Sequence, residues 1–125
     1  MKSLTNAEER IMLIIWDIGP AYVNDIRACF GDPKPAYNTV STITRILVKK
    51  GFVGFKSYGK THQYFPLVPK ETYARELLHH LLQGYFENSY LKLVSFFSRQ
   101  DNLSTEEIDE LRKLMKEEIK SLKNK

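Results

Sequence analysis

With 125 residues and 42% hydrophobic side chains, the chain is long enough to bury one core plus a helical appendage, and too apolar to be disordered throughout. Its formal charge of +4 is uneven: residues 1–68 hold nine basic and five acidic side chains, whereas residues 69–125 hold ten of each. No apolar run approaches the ~20 residues that cross a bilayer, and Glu8-Glu9-Arg10 occupies the place of a signal peptide's apolar stretch, so no membrane insertion and a cytoplasmic location are expected.

In chain order, Thr5-Asn6-Ala7-Glu8 reads as a capping box that opens a first helix. The run from Ile11 to Trp16 supplies its apolar face, and Gly19-Pro20 ends it. Val23, Ile26, Cys29 and Phe30 recur at helical spacing and predict a short second helix, stopped by the breakers from Gly31 to Pro35. Cys29 is the single cysteine, which rules out an intrachain disulfide and Cys-x-x-Cys metal sites; it is expected to be a small buried apolar residue.

The third segment, from Asn38 to Lys50, separates into two faces at 100° per residue. Val40, Ile43 and Leu47 cluster on one side, and Asn38, Ser41, Thr42, Arg45 and Lys49 fall on the other. Short hydroxyl and amide side chains punctuated by Arg and Lys suit a helix lying deep in the major groove, where Arg reaches guanine and Asn reaches adenine. A solvated polar face is the plainer reading. The same stretch lies in a window, Pro33 to Lys70, with seven Lys or Arg residues and no Asp or Glu, a composition suited to a polyanion.

After Gly51, aromatic and β-branched residues on either side of Tyr58-Gly59-Lys60 predict a β-hairpin. Two short helices, a basic amphipathic third and a basic-tipped hairpin make a winged helix-turn-helix over residues 1–68. The fold class is thus mainly α with a small β-hairpin wing. The expected DNA-binding residues are Asn38, Thr39, Ser41, Thr42, Arg45, Lys49 and Lys50 on the helix, with Lys56, Tyr58, Lys60 and His62 near the wing tip.

Residues 69–125 are expected to be helical. One long helix is predicted from Lys70 to about Arg99, and a last helix opens at Ser104-Thr105-Glu106-Glu107 after Asp101-Asn102. Leu77, Leu78, Leu81, Leu82, Phe86, Tyr90, Leu93, Val94, Phe97, Ile108, Leu111 and Met115 are more apolar surface than two helices can leave in water, and a second copy of the chain is the expected cover. Packing back on the N-terminal region is the monomeric alternative.

These residues resemble the BlaI/MecI penicillinase-repressor family of winged-helix regulators. The resemblance rests on Leu4-Thr5-x-Ala7-Glu8 with Ile11-Met12 and Trp16, on Tyr37-Asn38-Thr39-Val40-x-Thr42-Ile43 ending in Lys50-Gly51, and on Tyr64-x-Pro66-Leu67-Val68. It implies a homodimeric repressor on a palindromic operator in double-stranded DNA, controlling β-lactamase or related resistance genes and relieved when a membrane sensor protease cuts its C-terminal region. Where relatives carry Arg-Leu late in the third helix, this chain has Ile46-Leu47 with its Arg at 45, so a different operator is expected. Where antibiotic-responsive relatives carry an Asn-Phe cleavage bond, the corresponding pair is Phe96-Phe97. The copper-responsive branch's C-terminal cysteine pair is missing.

Catalysis is not expected. His79 and His80 are adjacent and diverge by about 100° on a helix, and no phosphate loop, nucleophile elbow or convincing carboxylate pair is present. No cofactor or metal is expected. The rival from another class is a winged helix that docks proteins without binding DNA, which would show apolar residues on the third helix instead of cations.

Overall fold

The computed structural model describes residues 2–100 and 103–124. Two compact units divide the chain, Met1–Leu77 and Leu78–Lys125. The first contains α1 (Asn6–Ile18), α2 (Val23–Ala28), α3 (Tyr37–Lys49), β1 (Val53–Tyr58) and β2 (Thr61–Pro66); α4 (Lys70–Tyr85) contains the division, and α5 (Tyr90–Gln100) and α6 (Thr105–Lys123) follow. Three helices and an antiparallel hairpin make the first unit a winged helix-turn-helix.

Local chemistry starts and stops these elements. Thr5 accepts the Glu8 amide at 3.2 Å and the Glu8 carboxylate accepts the Thr5 amide at 3.1 Å, so the capping box opens α1. At the end of α3, Gly51 takes φ +83°, the left-handed conformation that a side chain resists. The Gly51 amide then donates to the Val48 carbonyl at 3.0 Å and the Phe52 amide to the Leu47 carbonyl at 3.0 Å, which is a Schellman closure. That closure turns Phe52 into the core, where it and Leu47 are both fully buried. In the hairpin, Val53 pairs with Pro66 and Tyr58 with Thr61, leaving Gly59-Lys60 as a two-residue turn whose Gly59 has the positive φ such a turn needs.

The core gathers Ile11, Met12 and Ile15 from α1, Ile26 from α2, Val40 and Leu47 from α3, and Phe52, Val53 and Tyr64 from the wing root. Ala21 bridges to Tyr64 with both backbone bonds at 2.8 Å, adding a third short strand contact beside the wing. The compact unit runs past the expected boundary at residue 68 because Tyr73, in the first turns of α4, is buried against it. Its ring lies 5.6 Å from Phe52, edge-on, and 5.8 Å from Trp16, whose indole N–H donates to the Val68 carbonyl at 2.8 Å.

Three sequence expectations are corrected. Cys29 is exposed: α2 ends at Ala28, so the helical period that would have turned the thiol inward stops one residue short. The expected single helix from Lys70 to Arg99 is two helices, broken at Glu87 and Asn88, which adopt φ +52° and +61°. There the Ser89 hydroxyl accepts the Lys92 amide at 3.1 Å and opens α5. Finally, Leu82 is buried within the chain itself and is not part of a free apolar surface. The last helix opens as expected, with Ser104 and Glu107 forming a second capping box, while the break at Asp101-Asn102 lies outside the described residues.

Candidate nucleic-acid interface

The outer face of α3 is set by what its inner face must do. Val40 and Leu47 are fully buried, and Thr44 joins them because its hydroxyl is satisfied by the Val40 carbonyl at 2.7 Å. With those turned inward, Asn38, Thr39, Thr42, Arg45 and Lys49 are exposed and Ser41 is half-buried. No acidic residue stands in the first turn, and Ala36 offers no side-chain cap, so the amides that start α3 add positive potential to the same face. Tyr37 was not among the expected DNA contacts, yet it is 48% exposed at the head of this stripe. Its signal was available: positions 37, 41 and 45 are four apart and share one helix face.

Lys50 behaves differently from the other expected DNA contacts. Its ammonium sits 2.5 Å from the Glu8 carboxylate and 3.1 Å from the Ser3 carbonyl, tying the end of α3 to the start of α1. Burial pushes the Glu8 carboxyl up, but the hydrogen bonds from Lys50 and Thr5 and the Lys50 charge outweigh it, holding Glu8 below the usual carboxylate range. Lys50 therefore serves the packing of the head. Lys50 is thus paired, whereas its immediate neighbour Lys49, and Arg45 five residues before it, stand in water.

The wing residues Lys56, Tyr58, Lys60 and His62 are all exposed, but the pleat divides them. Ser57 pairs with His62 and Phe55 with Tyr64, so Phe55, Ser57, His62 and Tyr64 share one face, and Lys56 and Tyr58 share the other. On the first face Phe55 and His62 meet edge to face at 4.6 Å, and the Ser57 hydroxyl lies 3.2 Å from His62 Nδ1. On the second, the Lys56 ammonium sits 5.5 Å above the Tyr58 ring, and Tyr58 meets Tyr22, the residue that opens α2, at 6.5 Å. That aromatic contact props the wing against the helical part of the head.

A cleft between α3 and the wing is lined by Tyr22, Tyr37, Ser41, Arg45, Lys60 and His62, among others. Its one acid is Asp25, whose carboxylate accepts the Tyr22 amide at 2.9 Å. Among the described residues no three His, Cys, Asp or Glu side chains gather as metal ligands, and no helix is long and apolar enough to cross a membrane. The arrangement presents hydrogen-bonding groups and cations along one helix face, flanked by a second cationic projection.

In the Leu78–Lys125 unit, apolar side chains lie open. Leu78, Phe86, Leu93 and Phe97 are half-buried, whereas Leu81, Tyr90, Val94, Ile108, Leu111 and Met115 are exposed, as is Leu77 just before the division. Tyr85, Leu91, Leu114, Ile119 and Leu122 are also exposed and were not among the expected interface residues. Phe96 packs on Phe86 at 5.4 Å, and the Phe96-Phe97 bond lies inside α5.

Comparison with known proteins bears on the whole length. A family model described as penicillinase repressor matches residues 4–117. The methicillin resistance regulatory protein MecI of Staphylococcus aureus (strain N315) is 29% identical over 113 residues, 90% of this chain and 92% of that protein. The penicillinase repressor of Bacillus licheniformis is 26% identical over 119 residues, 91% of this chain and 90% of that protein. A solved CopR repressor structure is 32% identical, covering 54% of this chain and 99% of its own, with a TM-score of 0.45. With a family model matched along nearly its entire length, the chain belongs to the penicillinase repressor family, whose members are transcriptional repressors and not enzymes.

Proposed function

We propose that the protein is a homodimeric repressor that reads a palindromic operator in double-stranded DNA, with α3 in the major groove and the wing against the flanking backbone. Arg45 reads a base edge, while Asn38, Thr39, Ser41 and Thr42 are short enough to let the helix approach. Lys49, Lys56, Lys60, Tyr58 and His62 meet phosphate and sugar. Lys50 is left out of this set because Glu8 engages it. The observation that carries the reading is the exposed, acid-free face of α3 and wing.

Dimerisation would cover Leu77, Leu78, Leu81, Tyr90, Val94, Ile108, Leu111 and Met115 together with Phe86, Leu93 and Phe97. The names of the relatives support β-lactamase or related resistance genes as targets. Relief would come from cleavage in the C-terminal region by a membrane sensor protease. At Phe96-Phe97 this requires α5 to unwind first, because a helical bond is not extended for a protease.

The test is a binding titration of duplex DNA across salt concentrations. Each phosphate neutralised contributes about −0.9 to the slope of log K against log salt, so a slope of several units is expected. A flat response would favour the protein-docking winged helix instead.

A further inference from the structure

The cleft between α3 and the wing forms one lobe, and a separate pocket beside it, the second lobe, is also lined by Arg45, His62 and Tyr64. The polar lobe, about 460 Å³, faces Ser41 and Lys60 and fits the DNA reading. The second lobe, about 310 Å³, is lined by Val48 and Phe55 as well, together with the cations of Arg45 and Lys49. Its size falls at the lower end of the roughly 300–1,000 Å³ of small-molecule sites. Of its lining, Arg45, Lys49 and His62 serve the DNA reading, but Val48 and Phe55 have no part in it, so the apolar side of this lobe is left unassigned.

We propose that the second lobe binds a small aromatic carboxylate, in competition with DNA. The perpendicular Phe55 and His62 rings, 4.6 Å apart, make an aromatic corner that receives a planar ring edge-on or stacked, with Val48 as its aliphatic side. The carboxylate meets the lining cations, where Arg45 offers a planar fork and Lys49 a point charge. Asp25, the one carboxylate in the cleft, lines the polar lobe and does not line this one. A ligand holding Arg45 and Lys49 removes both from the DNA face, so such a compound acts as an inducer that needs no proteolysis. The competition, though not the site itself, rests on the DNA-binding role proposed above.

The experiment uses the full chain and benzoate as the probe, with acetate and benzyl alcohol at matched ionic strength as controls. Benzoate is titrated first without DNA, following amide and side-chain NMR shifts; saturation with a Kd on the order of 1 mM is expected for so small a ligand. Phe55, half-exposed and outside the DNA contacts, is changed to Ala. F55A is expected to weaken benzoate at least tenfold while leaving operator affinity in benzoate-free buffer unchanged. Benzoate at saturating concentration is expected to lower operator affinity of the unaltered protein and not of F55A. The proposal is overturned if acetate shifts the same resonances to the same extent, if F55A binds benzoate as well as the parent, or if bound benzoate leaves operator affinity untouched. Absence of DNA binding altogether would defeat the function proposed above, while the DNA-free titration would still decide the site.

Discussion

The two units handle apolar surface in opposite ways. The Met1–Leu77 head closes its core with side chains from every one of its elements, from Ile11 on α1 to Tyr73 on α4. In the Leu78–Lys125 tail, Leu82 is the one buried hydrophobic among the described residues, and α6 buries nothing at all. Leu91 stands 76% exposed and Met115 60%. A similar share of large apolar residues thus gives a closed core in one case and an open apolar surface in the other. Composition cannot tell these apart; contact can.

Removing the tail is the harshest way to break that contrast. A fragment of residues 1–77, which keeps Tyr73 with its core, is expected to stay folded but to lose roughly 10² to 10⁴ in operator affinity, because two heads no longer share one effective concentration. Sedimentation and operator titration of the fragment beside the full chain check this. A fragment that binds the palindrome as tightly as the parent would show that the tail is not what joins the heads.

Paired truncations sharpen the same contrast. Phe52→Ala should destabilise the head by about 3–5 kcal/mol at any protein concentration, since it leaves a cavity under Trp16 and Tyr73. Leu114→Ala alters a residue 53% exposed in the single chain, and should cost under about 0.5 kcal/mol where the protein is monomeric. Its cost should grow as concentration rises and a second copy covers it. Denaturation curves at several concentrations separate the two, and a concentration-independent loss for Leu114→Ala would remove that residue from any interface.

On the head's outer face, Arg45→Ala is expected to lose on the order of 1–3 kcal/mol on the preferred operator and to relax specificity. Lys60→Ala should weaken all DNAs alike and lower the salt slope by about 1. Equal losses on specific and random DNA for both changes would reverse these roles.

The join between α1 and the end of α3 is tested at Glu8. Its carboxyl lies below its ordinary value of 4.5 in the folded head, so the pairing with Lys50 contributes stability above that pH. The contribution is lost as pH falls through the lower, folded value. Glu8→Gln should therefore cost on the order of 1 kcal/mol at neutral pH and flatten the acid limb of the stability profile. An unchanged acid limb would mean that another carboxylate governs it.

What the sequence made legible follows the same division. Local signals were read correctly where they act locally: the capping box at Thr5, the start of the last helix at Ser104, the hairpin around Gly59, and the apolar stripe of α3 through Val40 and Leu47. The sequence was silent where one residue chose between two plausible partners. Lys50 continues the cationic run of α3, and only the packing of α1 puts Glu8 within its reach. Thr44 is a polar residue that the core accepts because its hydroxyl folds back on Val40. The break at Glu87-Asn88 was hidden by apolar residues on both sides, although Asn88-Ser89 carries the chemistry of a turn and a cap. Cys29 shows the converse error, a helical period extrapolated past the helix's end.

The residue that ends α3 has a wider consequence. Phe52 gives its amide to the Leu47 carbonyl, and its own carbonyl accepts the Leu67 amide at 2.8 Å, just beyond the end of β2. One buried residue therefore pins helix and wing at a shared root, and Tyr58 on Tyr22 steadies the far end. A reader built this way has little freedom to adjust its grip, so the work of fitting falls on the duplex. Operators whose central steps bend or untwist easily should then be preferred over stiff ones with identical contacted bases, a selectivity exercised at positions no side chain touches.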